Sequence, residues 1–277
     1  MNAYSLMYHD VVAQGCEDGS GFPGGECARY KLTLEAFAGH LRAIRGRAHR
    51  HPASVETVYL RDGAHDLATP DHQVFLTFDD GGVSAVSIAD CLDVFGWRGH
   101  FFVTTNYIGR PGFLTGAQIR DLRRRGHVIG SHSCSHPLRM AHCPAAKLRD
   151  EWMRSASTLG DLLGEPCPVA SIPGGEYSSE VGDRAAAAGI RVLFTSRPTV
   201  RVRQHGEMRV LGRFAIRSTT RPQVAAAVAA GRWAPRVIQL LSWDLRTAIK
   251  SVAGEAYHHL RTRRLGRSAD VQWGDSL

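Results

Sequence analysis

Two adjacent carboxylates stand directly after a run of apolar and β-branched residues. Residues 74–78 (VFLTF) are typical of a buried strand, and Asp79 and Asp80 follow without a gap. Gly81 and Gly82 then allow the chain to turn sharply and to approach a ligand closely. Because packing two like charges together costs free energy, stability alone explains the pair poorly. We interpret it as two polar groups that reach one cavity at the end of a strand, with a surface turn as the alternative.

Two histidines follow another short apolar run. Residues 128–130 predict a strand, and His132 and His136 come after it with three residues between them. This spacing lets two imidazoles meet one ion from a single helical turn or a tight loop. Because the loops that follow the strands of a parallel barrel gather at one face, we expect the histidines near the carboxylates. One carboxylate plus two histidines is a ligand set for a divalent ion such as zinc, and it leaves positions open for water and substrate.

The rest of the chain supplies the elements that must bring these groups together. Besides the two runs above, strands are expected near residues 5–8, 55–60, 100–104, 169–172, 192–195 and 210–216. Helical patterns separate most of them, and this alternation predicts an α/β fold with a parallel sheet, open or closed into a barrel. A glycine-rich loop at residues 15–25 is either mobile or shaped around a ligand.

The composition is that of a globular protein with a basic balance. The chain has 277 residues, of which 43% are hydrophobic and 22% charged, and it can bury a sizeable core. Its formal net charge of +8 fits solubility alone, or an anionic partner such as a phosphate-bearing substrate, an acidic membrane surface or nucleic acid. The sequence carries no recognition motif for nucleic acid, so we expect no nucleic acid as a partner.

Export signals and disulfides are not expected. The N-terminal residues lack a basic flank followed by a long apolar run, and no window approaches about eighteen apolar residues. The six cysteines show no paired CxxC spacing, so we expect free thiols. These features predict a soluble, cytoplasmic protein.

The two polar constellations together resemble the motifs of a known family. Residues 77–81 (TFDDG) resemble the first motif of the polysaccharide deacetylase family (NodB-homology, carbohydrate esterase family 4). Residues 132–136 (HSCSH) resemble its second motif, His-Ser/Thr-x-x-His. The resemblance implies a distorted (β/α) barrel and an enzyme that removes acyl groups from amides on sugars.

The same resemblance assigns roles to the four polar residues. It implies that Asp80, His132 and His136 bind a divalent metal, with Zn²⁺ expected first and Co²⁺, Ni²⁺ or Mn²⁺ as alternatives. It also implies that Asp79 is the general base, which accepts the proton of the attacking water.

The general acid is expected near the start of the sequence. In most family members this acid is a histidine near the C-terminus, and no convincing equivalent lies downstream of His136. Residues 7–9 (MYH) end a predicted strand and resemble the N-terminal Met-Tyr-His of a permuted branch of the family. The resemblance implies that His9 protonates the leaving amine, and a histidine that merely hydrogen-bonds at a strand end is the alternative. The neighbouring Asp10 would orient His9 or contact the substrate.

The third motif departs from the family pattern Arg-x-Pro-x-Gly. Residues 171–175 (SIPGG) keep Pro173 and Gly175, but Ser171 cannot replace a guanidinium. Either another arginine fills this place, for which Arg213 in a strand-like segment is the candidate, or the base is tuned differently. The predicted substrate-binding residues are Pro173, Gly174, Gly175, Tyr177, Asp10 and Arg213.

The sequence suggests two regions. We expect a catalytic domain at residues 1–221 and a basic, mostly helical extension at residues 222–277, where apolar residues recur at helical spacing from Trp233 onward. Such a helix lies on an anionic membrane or packs on the barrel with solvated arginines. The first alternative predicts peripheral contact with the inner membrane face and a lipid-linked sugar as substrate.

The combined prediction is a metal-dependent N-deacetylase of an acetamido sugar in a glycan, a lipid-linked sugar or a glycoside. A deformylase or another amidohydrolase on the same scaffold is one alternative. A carbohydrate-binding protein with impaired catalysis is another, which the missing arginine favours and the intact polar residues disfavour.

Overall fold

A single curled sheet of nine strands forms the centre of the computed structural model, which describes residues 2–47, 51–60 and 72–245. The strands are β1 (Ala3–Tyr8), β2 (Val11–Val12), β3 (Leu32–Thr33), β4 (Gln73–Phe78), β5 (Gly99–Val103), β6 (Val128–Ser131), β7 (Val169–Ser171), β8 (Val192–Phe194), β9 (Arg203–His205), β10 (Met208–Leu211) and β11 (Phe214–Ala215). The sheet order is β11-β1-β4-β5-β6-β7-β8-β10-β9, and β2 pairs with β3 separately. Within this sheet β9 runs antiparallel to β10, and the other pairs are parallel.

Helices cover the outer face of the sheet. They are α1 (Gly25–Ala28), α2 (Leu34–Arg47), α3 (Ala85–Val94), α4 (Gly116–Arg124), α5 (Ala145–Leu163), α6 (Ser179–Ala187), α7 (Pro222–Ala229) and α8 (residues 233–245). Capping explains several of their boundaries. The side chain of Thr115, for example, accepts from Gln118 N while Gln118 reaches back to the N-cap backbone, which fixes the start of α4.

Alternate residues of the parallel strands face two different cores, as strands covered on both faces require. In β4, Val74, Leu76 and Phe78 pack under the helices of one flank, whereas Phe75 points into the barrel beside Phe102 of β5. Both faces of the sheet are mainly apolar, and the two adjacent carboxylates stand where β4 ends. The fold therefore directs chemistry to the loops that follow the strands.

The two sides of the curled sheet meet at a seam between β10 and β11, which follow each other in the chain but are not paired in the sheet. These strands lie near opposite ends of the strand order, yet only Gly212 and Arg213 separate them in the chain. Ile216 N donates to Met7 O at 2.9 Å and fixes β11 against β1. A Cβ atom at Gly212 would lie 2.4 Å from the carbonyl oxygen of Arg197, so the seam requires glycine there.

The predicted α/β class is confirmed, whereas one predicted strand is wrong. Residues 55–60 contain a π-helical turn, Glu56–Leu60, in place of a strand. Val55 and Tyr59 are the buried members, 0% and 3% exposed, and both pack with the interior core. Their spacing of four residues is helical, and the short apolar run concealed this period. The six cysteines are free thiols, as expected.

The predicted domain boundary after residue 221 does not coincide with a break in packing. Helix α7 packs on α2, and Ala226 and Val228 belong to the same hydrophobic core as β1 and β4. Helix α8 continues the predicted helical region, and residues 246–277 lie outside the described residues. None of the described helices combines the length and the apolar content needed to cross a bilayer.

Candidate metal centre and active site

The turn after β4 sends the two adjacent carboxylates in different directions. Asp79 N donates to Tyr8 O at 3.1 Å, which keeps Asp79 in line with the sheet. Asp80 then has a φ of 78° and Gly81 a φ of 80°. A left-handed aspartate is tolerated at a cost of about 1–3 kcal/mol, so the surrounding contacts must hold this turn. The turn separates two carboxylates that sequence alone leaves equivalent.

The loop after β6 carries both histidines in a similarly constrained backbone. Ser133 and His136 have φ values of 63° and 58°, so three of the four described non-glycine residues with positive φ belong to this site. Glu151 of α5 holds the loop: its carboxylate accepts from Cys134 N at 2.9 Å, from Ser135 N at 2.9 Å and from Ser135 Oγ at 2.5 Å. Sequence analysis did not single out Glu151.

Asp80, His132 and His136 form a cluster that could hold a metal ion. Their ligand atoms all lie within 4.8 Å of one another, and Asp80 Oδ1 is 3.5 Å from His132 Nε2 and 3.4 Å from His136 Nε2. Such separations suit the edges of a tetrahedron around an ion with ligands at about 2.0–2.2 Å, the distances typical of zinc. The residues present therefore fit a divalent ion with nitrogen and oxygen ligands.

The electrostatic environment favours the metal-binding protonation states of His132 and Asp80. Burial lowers the pKa of His132 to about 4, so the imidazole is neutral at pH 7. Burial opposes the charge of Asp80, but the hydrogen bond from His136 and the positive charges of the nearby histidines together outweigh it and hold the pKa of Asp80 below its usual range. Burial also opposes the charge of His136, but its hydrogen bond and charge contact with Asp80 raise its pKa. An ionised carboxylate and a neutral imidazole are the forms in which these side chains coordinate metals.

Ser171 connects Asp79 to His132. Its hydroxyl donates to Asp79 Oδ1 at 3.1 Å and lies 2.6 Å from His132 Nδ1, which is also 3.1 Å from the carbonyl oxygen of Ser171. Because the single hydroxyl hydrogen is used toward Asp79, the ring proton is assigned to Nδ1, which donates to Ser171. This tautomer leaves the lone pair of His132 on Nε2, the atom that faces Asp80.

Arg213 makes a two-pronged contact with Asp79. Its Nη1 is 2.6 Å from Asp79 Oδ1 and its Nη2 is 2.8 Å from Oδ2, and the guanidinium is fully buried. Its Nε donates to Thr195 O at 3.0 Å, which fixes the plane of the group. Burial would raise the pKa of Asp79, but Arg213 and then His132 hold it below the ordinary value. Arg213 thus takes the position expected for the arginine that Ser171 replaces.

His9 follows β1 and interacts electrostatically with both carboxylates. Its ring lies 4.7 Å from the ring of Tyr30, and the guanidinium of Arg217 lies 5.9 Å from the centre of that ring. Nδ1 of His9 is buried without a hydrogen-bond partner among the described residues. Its role as general acid stays a prediction.

The glycine-rich loop at residues 15–25 is fixed by two buried charges. Lys31, 5% exposed, donates from Nζ to the carbonyl oxygens of Glu17, Ser20 and Phe22 at 2.6, 2.7 and 2.7 Å. Asp10 accepts from the hydroxyl of Ser20 at 2.6 Å. These contacts give the loop a defined shape in the structure. Direct contact of Asp10 with substrate stays a prediction, because one of its oxygens serves this brace.

The fixed loop places an aromatic ring beside the candidate metal cluster. Phe22 lies 4.8 Å from the ring of His136, 4.9 Å from Tyr107 and 5.1 Å from Phe113. Aromatic rings in edge contact of this kind form an apolar wall next to polar ligands. Such a wall suits a substrate with both an apolar face and polar groups.

The third-motif residues form a tight turn, but Tyr177 points elsewhere. Gly174 and Gly175 have φ values of 69° and 72°, and a Cβ atom at Gly175 would collide with Ser196. The hydroxyl of Tyr177 instead lies 3.0 Å from His205 Nδ1, at the hairpin of β9 and β10. Substrate binding by Pro173, Gly174, Gly175 and Tyr177 therefore stays a prediction.

Lys31 and Glu151 are the functional residues that sequence reasoning missed. One feature of the sequence could have identified Lys31. It is one of three lysines among 34 basic residues, and it follows the glycine-rich loop. No feature of the sequence distinguishes Glu151, because it lies in a helix that contains several other charged residues. Only the fold brings it to the histidine loop.

Comparison with known proteins supports the resemblance stated from the motifs. Residues 66–193 match the family model described as polysaccharide deacetylase. YxkH of Bacillus subtilis (strain 168), whose name places it among the polysaccharide deacetylases, is 25% identical over 202 residues, which are 73% of this chain and 67% of that protein. An uncharacterized 30.6 kDa protein of Geobacillus stearothermophilus is 29% identical over 138 residues, 48% of this chain and 50% of that protein.

Solved structures show the same fold. The Streptococcus pyogenes deacetylase PplD in complex with acetate has a TM-score of 0.67 at 19% identity, covering 80% of this chain and 96% of that one. IcaB from Ammonifex degensii has a TM-score of 0.67 at 24% identity, covering 83% and 97%. The predicted distorted (β/α) barrel is thereby confirmed. The family resemblance is confirmed over residues 66–193, and His9 and Arg213 lie outside that range.

Proposed function

Because residues 66–193 carry the match to the polysaccharide deacetylases, we propose that this chain is a metal-dependent hydrolase that removes the N-acetyl group from an acetamido sugar. The observation that carries the proposal is that the two adjacent carboxylates have different partners. Asp80 faces two histidines, whereas Asp79 is held separately by Arg213. Amide hydrolysis with a metal needs both a ligand set and a base that does not ligate.

In this proposal Asp80, His132 and His136 hold the ion. A divalent ion bound there would polarise the amide carbonyl and lower the pKa of a water molecule. The Nδ1–H of His132 and the loop contacts of Glu151 keep the ligand atoms aimed at one point. Such supporting contacts typically change metal affinity by about 10–100-fold.

Asp79 accepts the proton of the attacking water. Its low pKa keeps the carboxylate ionised at neutral pH, the form that can take a proton. Arg213 and Ser171 hold both oxygens in fixed directions, so the carboxylate cannot swing toward the ligand cluster. The water oxygen forms its bond to the acetyl carbon as its proton passes to Asp79.

His9 completes the reaction by donating a proton to the departing amine nitrogen as the C–N bond breaks. Two observations support this role: Nδ1 of His9 has no hydrogen-bond partner among the described residues, and His9 is close enough to Asp79 and Asp80 to lower the pKa of both. The products are acetate and the free amino sugar. The aromatic wall around Phe22 would contact the apolar face of the sugar ring or the acetyl methyl group.

The test is the metal content of the purified protein together with acetate release from a panel of N-acetylated sugars and lipid-linked sugars. We expect about one divalent ion per chain in the wild type, its loss in His132→Ala, and retention in the control His142→Ala. Wild-type protein should release acetate from at least one substrate. Bound metal without acetate would favour a deformylase or another amidohydrolase, and a wild type that binds no metal after reconstitution would overturn the proposal.

A further inference from the structure

Helix α8 presents a row of apolar side chains to solvent. Trp233, Val237, Ile238, Leu241 and Leu245 are 71%, 40%, 65%, 64% and 63% exposed. Four of them recur every fourth residue, so they lie on one face of the helix, and Ile238 widens it. We refer to these five residues as the apolar stripe. Single exposed apolar residues are common, but a continuous helical face of them marks an interaction surface.

The opposite face of α8 anchors the helix to the sheet edge. The guanidinium of Arg236 lies 5.3 Å from the centre of the Tyr4 ring. The side chain of Gln239 accepts from Ala215 N at 3.0 Å and donates to Ala215 O at 3.2 Å, so it satisfies the free edge of β11. The apolar stripe is therefore carried by a helix with a defined orientation.

These contacts also give α8 a direction. At its start, Gly231 lies against Tyr4, near the beginning of β1. Gln239 reaches Ala215, which is in register with Met7 near the end of β1. The helix thus runs toward the end of the barrel where His9 and the metal cluster lie. The apolar stripe extends along this flank toward the mouth of the site.

The same region has a strongly one-sided charge. Residues 208–243 contain no aspartate or glutamate and six arginines, of which Arg213 is buried against Asp79. The exposed Asp244 of α8 is the one acidic residue between residues 208 and 245. Arg221 and Arg232 are exposed, and Arg217 lies over Tyr30 beside His9, at the mouth of the site. An apolar face in a region rich in arginine is complementary to a surface with an apolar interior and anionic groups at its edge.

We propose that the apolar stripe and these arginines dock the protein on an anionic lipid bilayer, with the mouth of the site close to the membrane surface. A second copy of the chain fits less well. A two-fold dimer through this face would bring arginines against arginines. A stable interface also buries about 800 Å² on each partner, more than five side chains in one row provide.

The substrate class follows only if the proposed function holds. A deacetylase docked in this way would act on an acetamido sugar carried by a lipid, because such a sugar stands at the membrane surface in front of the mouth. Vesicle binding itself is independent of catalysis, so its failure and the failure of the proposed function can be told apart.

The experiment is co-sedimentation of the full chain with vesicles of phosphatidylcholine alone and of phosphatidylcholine mixed with phosphatidylglycerol. We expect binding to the anionic vesicles, weakened by salt, because arginine contacts to headgroups are screened. The double variant Ile238→Glu/Leu241→Glu should bind at least about tenfold more weakly. The matched control Val94→Glu/Met153→Glu changes two side chains that are 80% and 51% exposed on other helices, and it should bind like the wild type.

Two further measurements keep the outcomes separate. Acetate release from a water-soluble substrate should be unchanged in both double variants, which shows that they are folded. Equal vesicle binding by wild type and Ile238→Glu/Leu241→Glu would overturn the proposal, and so would a wild type that ignores anionic vesicles. The oligomeric state gives a further test. If the wild type is a dimer and Ile238→Glu/Leu241→Glu is a monomer, the proposal is also overturned, because a second copy of the chain then covers the apolar stripe.

Discussion

At the scale of single residues, the site is defined by Ser171 and Arg213, which both hold the carboxylate of Asp79 by hydrogen bonds. The family pattern has an arginine in the third motif, and here the guanidinium arrives from the seam of the barrel instead. Ser171 is small enough to leave the space that Arg213 fills, and it donates a hydrogen bond to the same carboxylate. The motif-three strand thereby gains a direct connection to His132 that a long side chain could not make as well.

Replacing Arg213 by lysine should impair the proposed base, Asp79, without changing metal binding. Lysine keeps the positive charge but cannot contact both carboxylate oxygens in one plane. Loss of one charged hydrogen bond corresponds to about 1.5–3 kcal/mol, so we expect kcat to fall by about 10–100-fold. Metal content should stay at the wild-type value. Arg209→Lys, whose guanidinium lies over Tyr59, is the matched control, and equal kcat values for both variants would contradict this role.

The grouping of the candidate ligands could be predicted at this scale because the residues of each motif are close in the chain. The short spacing within each pair indicates that Asp79 belongs with Asp80 and that His132 belongs with His136. The sequence could not assign Arg213 with the same certainty, because its approach to Asp79 depends on the closure of the whole sheet. The tautomer of His132 likewise depends on a partner 39 residues away.

At the scale of elements, the histidine loop depends on a helix that contributes no ligand. Glu151 belongs to α5 and is 6% exposed, and its carboxylate binds two backbone N–H groups and a hydroxyl of this loop. An ionised carboxylate is a stronger acceptor than a neutral amide. The helix thus fixes the left-handed residues that aim both imidazoles.

We expect Glu151→Gln to weaken metal binding without removing it. A glutamine has one acceptor oxygen and turns its NH₂ group toward donors, so the loop loses part of its support. The dissociation constant, measured by competition with a chelator, should rise about 10–100-fold. Asp150→Asn, the exposed neighbour on the same helix, should leave it unchanged. An unaltered constant in Glu151→Gln would show that the loop holds its shape alone.

The glycine-rich loop offers a second test of an element held by one side chain. In Lys31→Met the three carbonyl oxygens lose their donor while the apolar stem is kept. We expect a loss of about 1–3 kcal/mol in the free energy of unfolding and faster proteolysis within residues 15–25. Because Phe22 then loses its position, KM should rise while metal content stays constant. Lys147→Met, on the exposed face of α5, is the control, and a variant of Lys31 with unchanged KM would separate the loop from substrate binding.

At the scale of the whole molecule, the strand–helix alternation was enough to predict an α/β fold, because parallel strands need covered faces. The strand assigned to residues 55–60 failed because a short apolar run does not distinguish a strand from a helical turn. Helix α7, which follows the predicted boundary at residue 221, packs on α2 through small alanines, which suggest no core by themselves. The boundary itself stays a prediction.

The buried histidines make the fold sensitive to acid. His100 accepts from Val55 N at Nε2 (3.0 Å) and donates from Nδ1 to Leu76 O (2.9 Å), so both ring nitrogens are satisfied only in the neutral form. Burial lowers the pKa of His100 to about 4. The unfolded chain, with an ordinary histidine pKa of about 6.5, takes up the proton first as pH falls. The stabilisation is therefore full above about pH 6.5 and is lost between about pH 6.5 and pH 4.

Urea unfolding at pH 7.5 and pH 5.0 measures this effect. For His100 alone we expect a loss of roughly 2 kcal/mol at pH 5.0. His100→Gln should be less stable than the wild type at pH 7.5 but should lose about 2 kcal/mol less on acidification. His127, whose pKa burial also lowers to about 4, contributes equally to both proteins. If the free energies of unfolding of the wild type and of His100→Gln changed equally between the two pH values, His100 would not be the titrating group.

The position of β1 has a consequence for protein synthesis. This strand is buried on both faces and pairs in register with β4 and β11, which the ribosome makes much later. At about 5–20 residues per second, β1 waits roughly ten to forty seconds for its last partner. His9, the proposed proton donor, is thus made first, and Arg213, which holds the proposed base, arrives with β11. If the proposed function holds, a nascent chain can assemble its metal ligands before it can catalyse, and in that interval its first strand is an unpaired strand open to aggregation.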